Sequence, residues 1–222
     1  MAIPARITAQ DTLNTSGTNT VTTAYATTPT TGNLLVAVVN LVGTASLVTA
    51  ATVSDSNGNW TQIANVQPAV GHEVGIYYQI AAASQPTAIT ATGTVVVTVS
   101  AHLAIHEYSG IVNASPVDTS NTASNASATT SPGASITTAA PNAFDLIFSA
   151  AGEVGNNGGG LSVDSSFNLI TSGARIIDAD RIPLAIGTYN PKFTWTTARQ
   201  VGQVTVAFKA RRSGELALLG VG

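Results

Sequence analysis

The sequence predicts an all-β protein, an antiparallel β-sandwich built as one domain. Its densest run of strand-forming residues, VVVTVSAHLAIHEYSG at Val95–Gly110, consists of β-branched, aromatic and apolar residues that fit a pleated, half-buried surface. Shorter runs of the same kind recur along the chain, separated by turn signals rich in Gly, Pro and Asn. A chain of 222 residues also suits a single sandwich, which buries about 70% of the surface that the unfolded chain exposes.

The composition is poor in charge. Charged residues make up 9% of the chain, against roughly 25% in an ordinary soluble domain. The surface must therefore consist mainly of Thr, Ser, Asn, Gln and Gly, whereas a free monomer normally relies on mixed charges for solubility. We expect a surface that is shared with neighbouring subunits or that works outside the cell.

The same counts disfavour several classes of protein. The net charge is −3 and Arg211 and Arg212 are the only adjacent basic pair, so no basic face predicts a nucleic-acid partner. The absence of cysteine excludes a disulfide framework and thiolate zinc ligation. The N-terminal residues do not combine a basic region with an apolar core, as a secretory signal does, and no run predicts a transmembrane helix. We predict no cofactor.

The chain begins with an arm, residues 1–19, that carries one short apolar alternation from Ile3 to Ile7. A Thr-rich run at Asn19–Ala26 predicts the first strand. The run NLLVAVVNLVG after Gly32 is apolar at successive positions, so both faces of that strand are apolar. We expect it to be a central strand that is covered on both sides.

The next turn signal is Asn57-Gly58, between the strand runs 51–55 and 60–66. Asn-Gly is the strongest short hairpin signal because both residues tolerate positive φ. Asp55, Asn57 and Asn59 also alternate as oxygen donors, which leaves a calcium loop as the alternative. The full spacing and the distal Glu of an EF-hand are missing, so the hairpin turn is favoured.

The run EVGIYYQIA at Glu73–Ala81 alternates cleanly, and its Val, Ile and Tyr78 face is interpreted as core. The other face places Tyr77 between Glu73 and Gln79. We expect this to be an outer face, so these three residues are candidate contacts for a glycan or a protein partner. The interpretation favoured for Tyr77 is that it covers a neighbouring strand or subunit.

Within the densest run we predict two strands that meet near Ser100 and Ala101. On the second, His102 and His106 share a face, but strand spacing separates them by about 13 Å, too far for one metal ion. Glu107 is the one acidic group that the alternation places inward. We interpret Glu107, with Tyr108, as a structural anchor and not as a catalytic acid.

A long polar stretch follows Pro116, with low complexity and no apolar period. It is either a linker or an exposed edge strand. Because strand patterns resume at Ile136–Thr138 and Phe144–Ala151, one domain is favoured over two. Further runs predict four short strands and a closing one, at 167–171, 174–179, 184–189, 192–197 and 203–210.

Asp178 and Asp180 lie on one predicted strand face, with Arg175 and Arg181 close in sequence. We favour a surface ion-pair patch. A cation site, with calcium as the candidate ion, is the alternative at these aspartates as it is at Asp55.

The last residues, RRSGELALLGVG, depart from the strand pattern and form a short apolar tail, residues 211–222. A terminal apolar segment frays unless it docks. We therefore divide the chain into the arm 1–19, a sandwich domain 20–210 and this tail. Candidate assembly contacts are apolar residues at the two ends of the chain: Ile3, Ile7, Leu216, Leu218 and Leu219.

Six motifs occur in order between Gly32 and Ala210: GNLLVAVVN, VSDSNGNWTQIA, IYYQIA, LAIHEYSGI followed by PVD, ITTAAPNAFDLIFSAAG, and QVTVAFKA. Together they resemble a poorly characterised β-sandwich module found in bacterial surface or secreted proteins and in bacteriophage structural proteins. The resemblance implies a jelly-roll-like or lectin-like sandwich displayed outside the cell or on a virion. It carries over no catalytic residue, and it implies an architectural role for Glu107–Gly110.

The favoured hypothesis is a non-enzymatic structural protein of a virion or extracellular assembly, such as a capsid decoration, head-fibre or tail-associated protein. Its partners would be further copies of itself or other proteins of the assembly. The alternative is a carbohydrate-binding or adhesion module in which Tyr77, with Trp60 or Trp195, stacks on a cell-surface glycan.

A glycoside hydrolase is a remote alternative. It needs two carboxyl groups about 5 to 9.5 Å apart. Glu107 with Glu73 or Asp55 would be the pair, although no local spacing enforces either.

Overall fold

A computed structural model describes residues 3–43, 51–93, 99–139, 143–153, 161–173 and 175–212. This part of the chain consists of antiparallel strands and one helical turn, the 3-10 helix Thr8–Gln10, and no helix in it is long and apolar enough to cross a membrane. The strands, in chain order, are Ala5–Arg6 (β1), Thr12–Ser16 (β2), Thr20–Ala24 (β3), Leu34–Gly43 (β4), Ala51–Asp55 (β5), Gly58–Asn59 (β6), Thr61–Ala69 (β7), His72–Ile80 (β8), Ala88–Gly93 (β9), Val99–Ser109 (β10), Val117–Thr130 (β11), Ile136–Thr138 (β12), Leu146–Glu153 (β13), Ser162–Val163 (β14), Asn168–Gly173 (β15), Ile176–Arg181 (β16), Gly187–Tyr189 (β17) and Phe193–Phe208 (β18).

These strands form four sheets, and the predicted all-β antiparallel sandwich is confirmed. The central sheet has the order β1-β10-β4-β8-β7, with β2 also pairing β10. The second sheet has the order β11-β18-β13-β16-β15, with β14 also pairing β18. A smaller outer sheet has the order β3-β9-β5-β6, and β12 and β17 form a two-stranded ribbon.

The central sheet is covered on both faces, as its β4 sequence predicts. Leu35, Val39 and Leu41 of β4 pack in a cluster with residues of the outer sheet. Alternate residues, among them Val36 and Val38, pack in a second cluster with residues of the second sheet. A strand that is buried on both faces has no polar side to alternate with, which explains its continuous apolar run.

The second sheet is likewise covered on both faces. Its far side packs Ile147, Ala207 and Trp195 against Ile136 of the ribbon in a third cluster. The molecule is therefore a stack of layers around three apolar clusters, and the central and second sheets form its middle.

These two sheets approach closely where the sequence has glycine. A Cβ atom added to Gly152 of β13 would lie 2.5 Å from Val74 Cγ2 and 2.7 Å from Asn40 Oδ1. Any side chain there forces the facing strands apart, because heavy atoms pack to van der Waals distance in protein interiors.

Two predicted strand boundaries and one predicted strand pairing are wrong. The predicted junction at Ser100 and Ala101 lies inside β10, which is one strand from Val99 to Ser109. The predicted strands 192–197 and 203–210 are parts of the 16-residue strand β18. At Asn57-Gly58 the turn is present, with φ of +127° at Gly58, but only the two residues of β6 return beside β5 before the chain crosses to the central sheet.

Candidate functional site

The interface between the central and second sheets contains a cluster of charged and polar side chains, which we call the buried ion network. His106 lies at its centre and is fully buried. Its Nδ1 lies 2.9 Å from Asp11 Oδ1, and its Nε2 lies 3.2 Å from Asp178 Oδ2. Because each ring nitrogen faces a carboxylate oxygen, both nitrogens carry hydrogen and the ring is a cation. The remaining members of the network are Arg6, Tyr108 and Asp180.

Arg6 and Tyr108 extend the network to Asp180. The Tyr108 hydroxyl donates to Asp180 Oδ2 at 3.0 Å, and Arg6 Nη1 lies 3.4 Å from the same oxygen. Arg6 Nε lies 3.4 Å from Asp11 Oδ2, which closes the connection back to the His106 side. Three carboxylates thus face two cations.

Three separate segments bring the network together. Alternation along β10 places His106 and Tyr108 on the face toward the second sheet, where Phe148 packs against both rings. Alternation along β16 likewise aims Asp178 and Asp180 at the central sheet. The residues before β3 lie along the edge of β10, where Arg6 is opposite Tyr108 in register. The N-terminal segment is therefore fixed to both middle sheets by charge.

The pKa of His106 reflects its two carboxylate partners. Burial alone lowers the pKa of this imidazole, but the charge of Asp178 and the hydrogen bonds to Asp11 and Asp178 raise it to about 9. His106 is consequently protonated at neutral pH.

The prediction of a surface ion-pair patch at Asp178 and Asp180 is wrong, because both residues are buried and belong to this network. The reason is that their strand faces another sheet, which local alternation does not reveal. Arg181 lies instead over two aromatic rings, 5.8 Å from the Phe167 centroid and 5.1 Å from the Tyr189 centroid.

The centre of the buried ion network is closed to solvent, while Arg6 and Asp11 at its rim are partly exposed. His106 and Asp178 are both 0% exposed, so no substrate reaches them without opening of the sandwich. In the described part of the chain no group of three or more His, Asp or Glu side chains is placed to hold a metal ion. At the other candidate cation position, Asp55 accepts hydrogen bonds from Asn57 N, Trp60 Nε1 and Gln85 Nε2. The ion pairs and hydrogen bonds of the network fix the N-terminal segment to the central and second sheets.

A second polar cluster lies between the same two sheets, at the other end of β10, where His102 is opposite Asn40 in register. Asn40 Oδ1 lies 2.8 Å from His72 Nε2, and Asn40 Nδ2 donates to the Arg175 carbonyl oxygen at 2.8 Å. Burial, with the Arg175 charge added, lowers the pKa of His72 to about 3 and that of His102 to about 4. One strand face thus carries the neutral His102 and the cationic His106.

Glu73, Tyr77 and Gln79 do not form an outer face, and that expectation is wrong. Glu73 and Tyr77 are 1% and 2% exposed, because the outer sheet covers this side of β8. The Tyr77 hydroxyl donates to the Ala51 carbonyl at 2.8 Å, and Glu73 Oε1 accepts from Ala51 N at 3.2 Å. Gln79 is partly buried beside Gln85. The two buried residues hold the outer sheet to the central sheet.

Glu107 is buried on the face of β10 that the outer sheet covers, together with Leu103 and Ile105. Its Oε1 accepts hydrogen bonds from Thr30 N at 2.9 Å and from Asn33 Nδ2 at 2.6 Å. These bonds fix the segment before β4. The three carboxylates considered for a hydrolase, Glu107, Glu73 and Asp55, all accept hydrogen bonds from the chain itself.

Asp145 is a titratable group that sequence reasoning missed. Its side chain is buried, and Oδ1 accepts a hydrogen bond from Ala210 N at 3.2 Å. Burial raises the pKa of Asp145 to about 7, and the nearby Asp118 carboxylate adds to the shift. Arg6 and Asp11 were also missed, because Asp180 and His106, which they contact in the network, are 174 and 95 residues away from them in sequence.

The surface is poor in exposed charge. Of the charged residues in the described part of the chain, six carboxylates are buried, and only Asp164, Lys192 and Arg212 are exposed. Nine further charged residues, among them Arg6, Asp11 and Arg199, are partly exposed, so the surface keeps a small number of charges.

Five large apolar side chains are exposed in the described part of the chain, three of them in β15 or in the segment between β16 and β17. Leu184 is 81% exposed and Ile186 is 49% exposed, both in the segment between β16 and β17. Leu169, 37% exposed, lies opposite Ala179 in the adjoining β15–β16 pair. Of the predicted assembly contacts, Ile3 is 61% exposed and Ile7 is partly exposed. Leu216, Leu218 and Leu219 lie outside the described residues.

The polar stretch after Pro116 is an edge strand, which is one of the two predicted alternatives. β11 pairs with β18 and ends the second sheet, and eight of its fourteen residues are exposed.

None of the aromatic side chains, all of which lie among the described residues, is exposed. Trp60 and Trp195 are each 5% exposed, so the expected stacking platforms are interior side chains. A pocket beside Trp195, lined also by Glu153, Leu161 and Arg175, has a volume of about 10 Å³, which is room for about one water molecule.

Comparison with known proteins adds little. No protein-family model matches the chain, and no curated protein matches it. A solved structure titled "Crystal Structure of the STIV MCP" aligns over 99% of this chain and 100% of that chain, with 10% identity and a TM-score of 0.26. A likeness at this level carries no argument. The all-β sandwich is thus established by the sheets themselves, and the resemblance to a surface and bacteriophage module stays a prediction.

Proposed function

We propose that this chain is a non-enzymatic structural protein of a virion or other extracellular assembly, and that it acts through contacts between subunits. The observation that carries the proposal is the placement of charge. Six carboxylates are buried, and the exposed charged residues are Asp164, Lys192 and Arg212 in the described part of the chain. Soluble monomers normally keep mixed charges outside. A surface made mainly of hydroxyl and amide groups suits a protein whose surface is covered by neighbours.

Two further features support contacts between subunits. Leu184 and Ile186, in the segment between β16 and β17, expose apolar side chains that a neighbouring subunit would cover. The buried ion network holds the N-terminal segment, so Ile3 extends from a fixed base. The resemblance to surface and bacteriophage proteins favours a location on a virion or outside the cell.

The carbohydrate-binding alternative has no supporting observation, since Tyr77, Trp60 and Trp195 are buried. A catalytic role for Glu107 is not favoured either, because its side chain is 1% exposed.

The test is the solution mass of the full-length chain by light scattering over a concentration series. We expect a defined multiple of 22.4 kDa. Because the contacts would be uncharged, the mass should persist in 1 M NaCl, where the Debye length falls to about 3 Å and surface ion pairs are screened. A mass of one chain at every concentration would contradict the proposal. A version that ends at Arg212 is the matched comparison, and loss of assembly in it would assign the contact to the tail.

A further inference from the structure

We infer that the edge strand β11 pairs with β11 of a second copy, antiparallel across a two-fold axis at Thr122, so that two second sheets join into one. This inference rests on the proposed function, because it names the surface and the partner through which the subunits would assemble. The segment concerned is Thr119–Asn125, which we call the edge segment.

The edge segment is a regular strand with one open side. Its seven residues pair with β18 without a shift, from Thr119 opposite Ala207 to Asn125 opposite Val201. Irregularities lie just outside it, before Thr119 and after Asn125. Among the described residues, no strand pairs with its other side.

The hydrogen bonds show which groups face outward. Thr122 N donates to Asn121 Oδ1 at 2.9 Å, a local bond that a ladder N–H would not make. Residues of an antiparallel strand present both N–H and C=O to the same side, and neighbours alternate. Ser120, Thr122 and Ser124 therefore present their backbone groups to the open side, where one side-chain amide covers Thr122.

The edge segment lacks the usual protection against pairing. Natural edge strands carry Lys, Pro or inward charges, or are very short. From Thr119 to Thr130 the sequence contains no charged residue and no proline. Among the other edge strands, β7 contains Pro68 and two irregularities, β15 has one irregularity, β3 has five residues, and β1 and β6 have two each. β11 has 14 residues.

The sequence of the edge segment fits itself. A two-fold axis at Thr122 places Thr122 opposite Thr122 of the partner copy, and Ser120 opposite Ser124. Each of these three pairs is of the hydrogen-bonded kind, so pairing forms about six backbone hydrogen bonds. In these three pairs a hydroxyl faces a hydroxyl, and in the pairs between them Asn121 faces Ala123, so no like charges repel.

The chain already uses this chemistry between its own strands. Thr22 lies opposite Thr90 with hydroxyl oxygens 2.9 Å apart, and Thr137 lies opposite Thr188 at 2.9 Å. Facing hydroxyl pairs of this kind stabilise antiparallel pairing. A second copy of the chain is therefore the partner that fits the open side of the edge segment.

The experiment compares the full-length chain with Thr122→Pro, with the double variant Ser120→Lys/Ser124→Lys, and with Thr129→Lys as control. Thr129 is exposed on the same strand but outside the edge segment. Proline at 122 removes an N–H that points to the open side and bonds only Asn121 Oδ1, a position at which edge strands accept proline. We expect Thr122→Pro and the double variant to raise the concentration for half-assembly about tenfold or more, while Thr129→Lys behaves as wild type. Circular dichroism and thermal unfolding show whether each variant is folded.

A cross-link gives a second readout in the folded protein. The chain has no cysteine, so Thr122→Cys introduces a single thiol. Across the proposed axis its Cα lies about 5.5 Å from that of its copy, within disulfide range. Thr129→Cys would lie roughly 46 Å from its copy at strand spacing. Mild oxidation should yield a covalent dimer of Thr122→Cys and none of Thr129→Cys.

The outcomes separate the two proposals. Assembly of all variants as in wild type, with no cross-link at Thr122, overturns the edge pairing and leaves the proposed function standing. A wild-type chain that stays monomeric overturns both. Loss of assembly in Thr122→Pro, together with the Thr122→Cys cross-link, supports pairing of the edge segment with a second copy and not with a different partner.

Discussion

Replacement of His106 by Gln should remove most of the pH dependence of stability on the alkaline side. The pKa of His106 is raised from 6.5 to about 9 in the folded protein. A raised pKa means that the folded state holds the proton more tightly than the unfolded state. The stabilisation is therefore complete below pH 6.5 and is lost as pH rises through 9.

The magnitude follows from the shift. Each pKa unit is worth about 1.4 kcal/mol, so the full effect is about 3 kcal/mol. Between pH 7.5 and 9.5 the free energy of unfolding of the wild type should fall by about 2 kcal/mol. This window avoids the lowered pKa values of His72 and His102, and most of the titration of Asp145, whose pKa is raised to about 7.

The assay is urea unfolding at half-unit pH steps, followed by circular dichroism. His106→Gln should be less stable than wild type at pH 7.5, since Asp11 and Asp178 lose the cation between them, and its stability should be nearly flat to pH 9.5. If the variant cannot be folded, the wild-type profile alone is decisive. A flat wild-type profile, or equal slopes in both proteins, would refute the reasoning.

Three other predictions concern the same interface and its surroundings. Tyr108→Phe keeps the ring but removes the hydroxyl that donates to Asp180, so it should cost about 2 kcal/mol in urea unfolding at pH 7, and an unchanged midpoint would contradict the bond. Gly152→Ala introduces a Cβ only 2.5 Å from Val74 Cγ2 and should cost about 1 to 3 kcal/mol at any pH, whereas a neutral effect would mean that the sheets yield without strain. Asp145→Asn should be more stable than wild type at pH 8.5 by about 2 kcal/mol, because the wild-type carboxyl, with its raised pKa, loses stability as pH rises through 7. A lower stability of Asp145→Asn at pH 8.5 would show that the ionised carboxylate is favourable there.

The strand content could be predicted from sequence because burial of a strand leaves a local pattern. The apolar run of β4 predicted a central strand covered on both sides, and Leu35 and Val36 do pack in different clusters. The polar run of β11 was compatible with an edge strand for the converse reason. A strand with one open edge and with most of its side chains exposed needs no continuous apolar face.

Contacts between layers could not be predicted in the same way. The alternation around Tyr77 gives a polar and an apolar face, but a separate four-stranded sheet covers the polar one. Asp178 was expected in a surface ion-pair patch because Arg175 and Arg181 are close in sequence, but its partner His106 is 72 residues away. The pairing of such residues depends on how sheets stack, which local spacing does not encode.

The burial of charge also affects how long this protein would survive digestion. Trypsin-like proteases cut after Lys or Arg, and in the described part of the chain only Lys192 and Arg212 are exposed residues of these types. Strand residues such as Arg6 and Arg181 are additionally held by ion pairs or aromatic rings. We expect limited trypsin treatment to remove the last ten residues first and to leave the sandwich whole, a durability that would serve a protein working among secreted proteases.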